Sequence, residues 1–251
     1  MGTTRTRTRT STSARPVVSR LEEGRPRKAR VFVVDDHPLL REGSAALLGA
    51  QPDLEFCGAA ADAAGALAGL AAARADVVVV DLNLEGRNGL ELVKDLKARQ
   101  PPLPVVVYTM YDENVYAERA LRAGARGYVM KREPAANLLA AVRTVAGGGY
   151  HFSPVISTRL LDQFASGPPV PGDPLRALSD RELEVFDLLG QGLRPRAIAA
   201  KLRLSSKTVE FHLDSIKRKL RLRSASQILP QAISWRQRQH WGSGRTAPGA
   251  P

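Results

Sequence analysis

The sequence predicts a doubly wound five-stranded parallel α/β sheet followed by a small all-α domain. Between Arg30 and Gly148, short apolar runs alternate with helical patterns five times. A stretch rich in proline and glycine, "SGPPVPGDP", then breaks the pattern, and beyond it the period is purely helical.

The strands are expected at 30–35, 54–60, 76–81, 104–109 and 126–130. The first, third and fourth are nearly continuous valine, as parallel strands covered on both faces require. Amphipathic or Ala/Leu-rich segments at 38–50, 62–74, 88–99, 113–123 and 134–147 supply the crossovers. Residues 149–174 read as a linker with a short helix. In the C-terminal part, Ser179 and Glu182 form a capping box before Leu183, Phe186 and Leu189, and the helix stops at Gly192. Pro195 fits a first helical position, and residues 205–220 make a third helix. "SASQILPQAISW" opens with a second capping box, Ser224 with Gln227. It carries Pro230 inside the helix, where a missing N–H costs roughly 3 kcal/mol or leaves a kink.

The net charge of +12 over 251 residues is uneven. Residues 1–30 hold nine basic and two acidic side chains, residues 31–154 twelve and fifteen, and residues 174–251 fifteen and six. A basic C-terminal end suits a polyanion partner. Residues 1–29 read as a disordered basic tail, with loose matches to transit and myristoylation patterns; 239–251 read as a second disordered tail. One cysteine, Cys57, excludes a disulfide framework and fits a cytoplasmic protein; no apolar run is long enough for a membrane span.

In a doubly wound sheet the functional crevice lies beyond the carboxyl ends of the strands. Those ends carry Asp35 and Asp36, Asp81, Thr109 and Lys131. Any single Asp there is an ordinary cap or loop residue, and Asp36 is placed to cap the next helix. Together, three carboxylates form an all-oxygen site suited to Mg²⁺. The lysine and hydroxyl complete a pocket for a phosphoryl group, with Asp81 as the nucleophile.

The segments "VVDDHPLLREG", "VVVVDLNLEGRNGLEL", "VVVYTMYD" and "ALRAGARGYVMKREP" resemble the receiver domain of bacterial two-component response regulators. The resemblance implies that Asp35, Asp36, Asp81 and the backbone carbonyl of Asn83 hold Mg²⁺. It implies that Asp81 accepts phosphate from a sensor histidine kinase, that Thr109 and Lys131 bind the phosphoryl oxygens, and that the Tyr128 rotamer follows Thr109. Leu84-Glu85 replaces the family's usual Met-Pro, and Arg132-Glu133 follows Lys131 in place of small or acidic residues. Residues 178–223 are similar to the LuxR-type helix-turn-helix, so the chain resembles NarL/FixJ-type regulators over most of its 251 residues, with domains expected at 30–148 and 175–238. One further departure is Arg221, where the family has glycine.

On the third helix, Val209, Leu213, Ile216 and Leu220 share the core face at about 100° per residue. The opposite side is assigned to double-stranded promoter DNA: Lys207, Glu210, Phe211 and Asp214 to base edges, and Thr208, Lys217, Arg218 and Arg223 to phosphates. His212, at the core edge, is read as a packing or hydrogen-bonding residue in preference to a base contact. The expected protein is a non-enzymatic, cytoplasmic transcription regulator that forms a homodimer when phosphorylated, with RNA polymerase as a candidate partner. The rivals are a phosphorylation-independent regulator whose receiver only dimerises and, more distantly, an Asp-nucleophile phosphatase.

Overall fold

The computed structural model describes residues 27–84, 87–99, 103–165 and 174–242, with side chains omitted at a few of these positions. Most of the expected N-terminal tail, the centre of the linker and the last nine residues lie outside that set. The elements are β1 (Ala29–Val34), α1 (Pro38–Gly49), β2 (Leu54–Ala60), α2 (Ala63–Ala73), β3 (Val77–Val80), β4 (Asn83–Leu84), β5 (Arg87–Asn88) and α3 (Gly89–Arg99). There follow β6 (Val105–Thr109), α4 (Glu113–Ala123), β7 (Gly127–Met130), α5 (Ala135–Ala146) and α6 (Pro154–Ala165). The C-terminal part holds α7 (Asp180–Gly190), α8 (Pro195–Lys201), α9 (Ser206–Lys219) and α10 (Ile228–Gly242).

The five long strands form one parallel sheet in the order β2-β1-β3-β6-β7. That order reverses between β1 and β3, so the crevice falls where the Asp35–Asp36 and Asp81 segments leave the sheet. The valines of β1, β3 and β6 are buried on both faces, which is why the sequence shows no alternation there. One layer, under α1 and α5, is its own core of Val31, Val33, Leu48, Val79 and Val142. The other layer, under α2 to α4, is continuous with the helical domain and reaches Phe186, Ile198, Ile216 and Trp235.

Two expectations for the C-terminal segment are corrected. Ser224 makes no capping hydrogen bond, and Gln227 Oε1 accepts instead from Arg223 N–H at 2.8 Å. A short 3₁₀ turn covers Ala225–Gln227, and α10 begins only at Ile228. Pro230 therefore lies in the first turn, where an N–H has no intrahelical partner in any case, and it neither breaks nor interrupts the helix. α10 also continues to Gly242, four residues into the stretch expected to be a disordered tail.

α8 and α9 both end in Schellman-type caps with arginine in the left-handed position. Arg203 has φ 51° and Arg221 φ 55°, while Leu204 N–H reaches Ala199 O and Leu222 N–H reaches Lys217 O. Arg221 thus adopts the conformation that glycine takes more easily.

Candidate functional site

Each predicted strand-end residue but Asp36 is confined by its element. Asp35 (2% exposed) follows β1, and its carboxylate accepts from His37 N–H at 2.9 Å. The N-cap position of α1 belongs to His37, without a side-chain cap, so Asp36 does not cap that helix. Asp36 Oδ1 is buried without a well-formed hydrogen bond, and its near neighbour is His37 Nδ1 at 2.6 Å. Asp81 (2% exposed) follows β3 and accepts from Asn83 N–H at 3.0 Å. Asn83 pairs with Asn88 in the small β4–β5 ribbon, which fixes the loop beyond Asp81. Gly89 closes that loop: a Cβ there would stand 2.2 Å from the Asp81 carbonyl oxygen, so no side chain fits.

Lys131, just past β7, reaches back across the sheet edge. Its Nζ lies 2.6 Å from Asp81 Oδ2 and 2.7 Å from Asp35 Oδ2. Burial pushes the Asp81 carboxyl above its ordinary range, and Asp35 adds to the rise, although Lys131 opposes both. Burial alone would lower Lys131, but Asp81 and Asp35 more than offset it and hold the ammonium above its usual value. Ligand atoms of Asp35, Asp36, His37 and Asp81 all lie within 4.8 Å of one another. This mostly carboxylate donor set, with an Asp36 oxygen that makes no well-formed hydrogen bond, fits a hard divalent cation such as Mg²⁺.

Thr109 is fully buried at the end of β6, and its Oγ1 accepts from Tyr111 N–H at 3.4 Å. Tyr128 is buried outright on β7, not half-buried as a strand aromatic would be, and its OH donates to the Tyr111 carbonyl at 3.0 Å. Strand-end reasoning did not find Tyr111, Asn88 or Glu184, which join this region to the helical domain.

In that domain Glu182 organises α7 and α9. It completes the capping box with Ser179 and accepts from Ser215 Oγ and Lys219 Nζ, each at 2.6 Å. Burial pushes this carboxyl up, yet the Lys219, Ser215 and Ser179 hydrogen bonds outweigh it and bring it down to about 2. Val209 and Ile216 face the core, with Leu213 and Leu220 packed at its margin. Lys207, Glu210, Phe211, Asp214 and Arg218 face solvent, and Phe211 is 65% exposed. Thr208 shares a hydroxyl hydrogen bond with Ser205, Asp214 pairs with Lys217 at 2.9 Å, and Arg223 is exposed. His212 is half-buried beside Phe211, and burial with the Arg181 charge lowers its pKa.

Residues 31–143 match the model of the response regulator receiver domain, and residues 176–232 that of the luxR family of bacterial regulatory proteins. The oxygen regulatory protein NreC of Staphylococcus carnosus is 34% identical over 209 residues, covering 81% of this chain and 96% of NreC. This chain is a LuxR-type response regulator. The build of a receiver joined to a LuxR helix-turn-helix is that of the phosphorylation-regulated, DNA-binding regulators. Among solved structures, Salmonella typhimurium RcsB is similar at 25% identity and TM-score 0.60, covering 83% of this chain and 98% of RcsB. A LuxR-family regulator from Aurantimonas is 32% identical with TM-score 0.51, over 55% of this chain and 99% of that one.

The response regulator is docked upon itself. Arg119 of α4 donates to Asp180 Oδ1 at 2.9 Å and to the Leu175 and Leu178 carbonyls. Lys94 of α3 reaches Asp180 at 2.7 Å, and Arg176 reaches Glu118 at 2.9 Å. α7 and α10 thereby roof a cavity of about 440 Å³ whose floor includes Asp81 and Lys131 and whose roof includes Asp187, Trp235 and Arg236. Among the described residues, no helix is long and apolar enough to cross a membrane.

Proposed function

We propose that Asp81 accepts a phosphoryl group from the phosphohistidine of a sensor kinase, and that this controls pairing of two copies on promoter DNA in the cytoplasm. The observation that carries the reading is the Lys131 ammonium bridging Asp81 and Asp35 at 2.6 and 2.7 Å, beside a third carboxylate. Asp81 Oδ attacks phosphorus, the P–N bond to the kinase imidazole breaks, and an acyl phosphate forms. Lys131 moves from its carboxylate partners to a phosphoryl oxygen, and the Thr109 hydroxyl donates to another. Asp35, Asp36, Asp81 and the Asn83 carbonyl are the groups that would hold Mg²⁺, and the cation would offset phosphoryl charge when bound. The chain modifies its own side chain and turns nothing over, so it is not an enzyme in this reading. Position 83 is Asn, so the acid/base carboxylate that an Asp-nucleophile phosphatase carries two residues past its nucleophile is replaced by an amide.

On the DNA side, the exposed face of α9 enters the major groove. Lys207, Glu210, Phe211 and Asp214 meet base edges, while Thr208, Lys217, Arg218 and Arg223 meet phosphates. Asp214 is tied to Lys217 through Oδ1, which leaves its other carboxylate oxygen to accept from a cytosine amino group. The decisive experiment is labelling of wild type and Asp81→Asn with a radioactive small phosphodonor and Mg²⁺. Labelling is expected only in wild type; label retained by the variant would refute the assignment.

A further inference from the structure

Glu184 lies in α7 among apolar neighbours and is only 1% exposed. Its carboxylate accepts from Arg181 Nη1 of its own helix at 2.7 Å, from Asn88 Nδ2 at 3.2 Å and from the Tyr111 hydroxyl at 3.3 Å. Two of these three donors belong to the receiver. A carboxylate out of water is costly unless its donors stay in place, so Glu184 is stable in this environment only while the domains remain docked.

Tyr111 is held on every side. Thr109 Oγ1 accepts from its N–H, and Tyr128 OH donates to its carbonyl. Its ring stacks on Tyr116 with centroids 4.6 Å apart, and its hydroxyl reaches Glu184. Both backbone polar groups of one residue are thus tied to the Thr109–Tyr128 pair, while its side chain is tied to the DNA-binding domain. The second receiver donor, Asn88, pairs with Asn83 in the β4–β5 ribbon, two residues past Asp81.

We propose that Tyr111 is the positioning residue through which the state of Asp81 reaches the DNA-binding domain, its hydroxyl holding Glu184 in the docked chain and releasing it when the Thr109 hydroxyl turns to a phosphoryl oxygen. The inference rests on the Asp81 reading above and assigns the regulation of that site. When Thr109 Oγ1 rotates toward the phosphoryl group, Tyr111 N–H loses its acceptor and the loop after β6 shifts. Tyr128, bonded to the same loop, moves with it. The Tyr111–Glu184 bond, at 3.3 Å, is already longer than an ordinary hydroxyl hydrogen bond, so a shift of a fraction of an ångström breaks it. Glu184 then gains water only by undocking, which makes the contact a two-state element. Because linkage is reciprocal, docking must weaken binding of a phosphoryl mimic to Asp81 by the same factor that the mimic weakens docking.

The test uses the full chain with Mg²⁺ and beryllofluoride as the phosphoryl mimic. It compares wild type, Tyr111→Phe, Glu184→Ala and the double variant. Radius of gyration by small-angle scattering reports docking, and a beryllofluoride titration reports affinity. Wild type is expected to expand on saturation. Tyr111→Phe keeps the stacked ring, and is expected to be more expanded before the mimic is added and to bind it about tenfold more tightly. Glu184→Ala should act in the same direction, and the double variant should add little to either single change. Damage to packing alone would instead weaken beryllofluoride binding, and that result would overturn the proposal. A wild type that expands beside variants indistinguishable from it also overturns the Tyr111 assignment, while leaving Asp81 standing. A wild type that does not bind the mimic removes the Asp81 reading, and this inference with it.

Discussion

Asp81 of the receiver and Glu182 of the helical domain are each buried against a lysine, and they answer in opposite ways. Asp81 has Lys131 Nζ at 2.6 Å yet is held above the ordinary carboxylate range. Glu182 has Lys219 Nζ at the same 2.6 Å and is held at about 2. Burial raises both, most decisively at Asp81, and the company decides how far it is opposed. Asp81 shares its lysine with Asp35 and has Asp36 nearby, whereas Glu182 also collects the Ser215 hydroxyl and the Ser179 N–H. A carboxylate that builds structure is surrounded by donors. Asp81, the proposed site of a cation and a phosphoryl group, shares its lysine with Asp35, and a cation would relieve that crowding.

Glu182→Ala sharpens this contrast most. It removes the capping box and leaves Ser215 and Lys219 without their acceptor, so stability should fall by about 3 kcal/mol. Urea unfolding of the full chain, with a probe in the helical domain, measures it. The same residue sets an acid response. Its folded pKa of about 2 lies below the unfolded value near 4.5, so its contribution is whole above pH 4.5 and is lost as pH falls toward 2. Unfolding midpoints across that window should drop more steeply in wild type than in Glu182→Gln. A matched slope would erase the contrast.

On the receiver side, Mg²⁺ at ten times its Kd should raise stability by about 1.4 kcal/mol, and Asp36→Ala should remove most of that gain. Calorimetric scans with and without the cation test it. Smallest of all, Asp81→Asn without metal should be neutral or stabilising, by up to about 1 kcal/mol, because it removes one of three crowded negative charges. A clear loss of stability would mean that Lys131 satisfies Asp81 as fully as Lys219 satisfies Glu182.

The sheet was legible in the sequence because buried parallel strands write themselves as valine runs. The residues at their ends were legible because Asp, Thr and Lys are unusual there in combination. The segment before α10 was misread for a local reason. Ser224 and Gln227 have the spacing of a capping box, but a 3₁₀ turn intervenes and moves the helix start to Ile228, which makes Pro230 harmless. Glu184 was missed for a non-local one. Next to Leu183 on an amphipathic helix it reads as a solvent-facing residue, and only the docked receiver takes it out of water. Tyr111 carries no pattern at all, since its partners come from β6, β7, α4 and α7.

The outward face of α9 stays uncovered in the docked chain, with Lys207, Phe211 and Arg218 in solvent. What docking covers is parts of α7 and α10. Sliding and hopping along the chromosome depend on cationic contact with phosphates, and that contact needs no prior undocking. Under the proposed function, search and arrest fall to different surfaces: the α9 face is open to phosphates in the docked chain, and the state of Asp81 sets whether α7 and α10 are released.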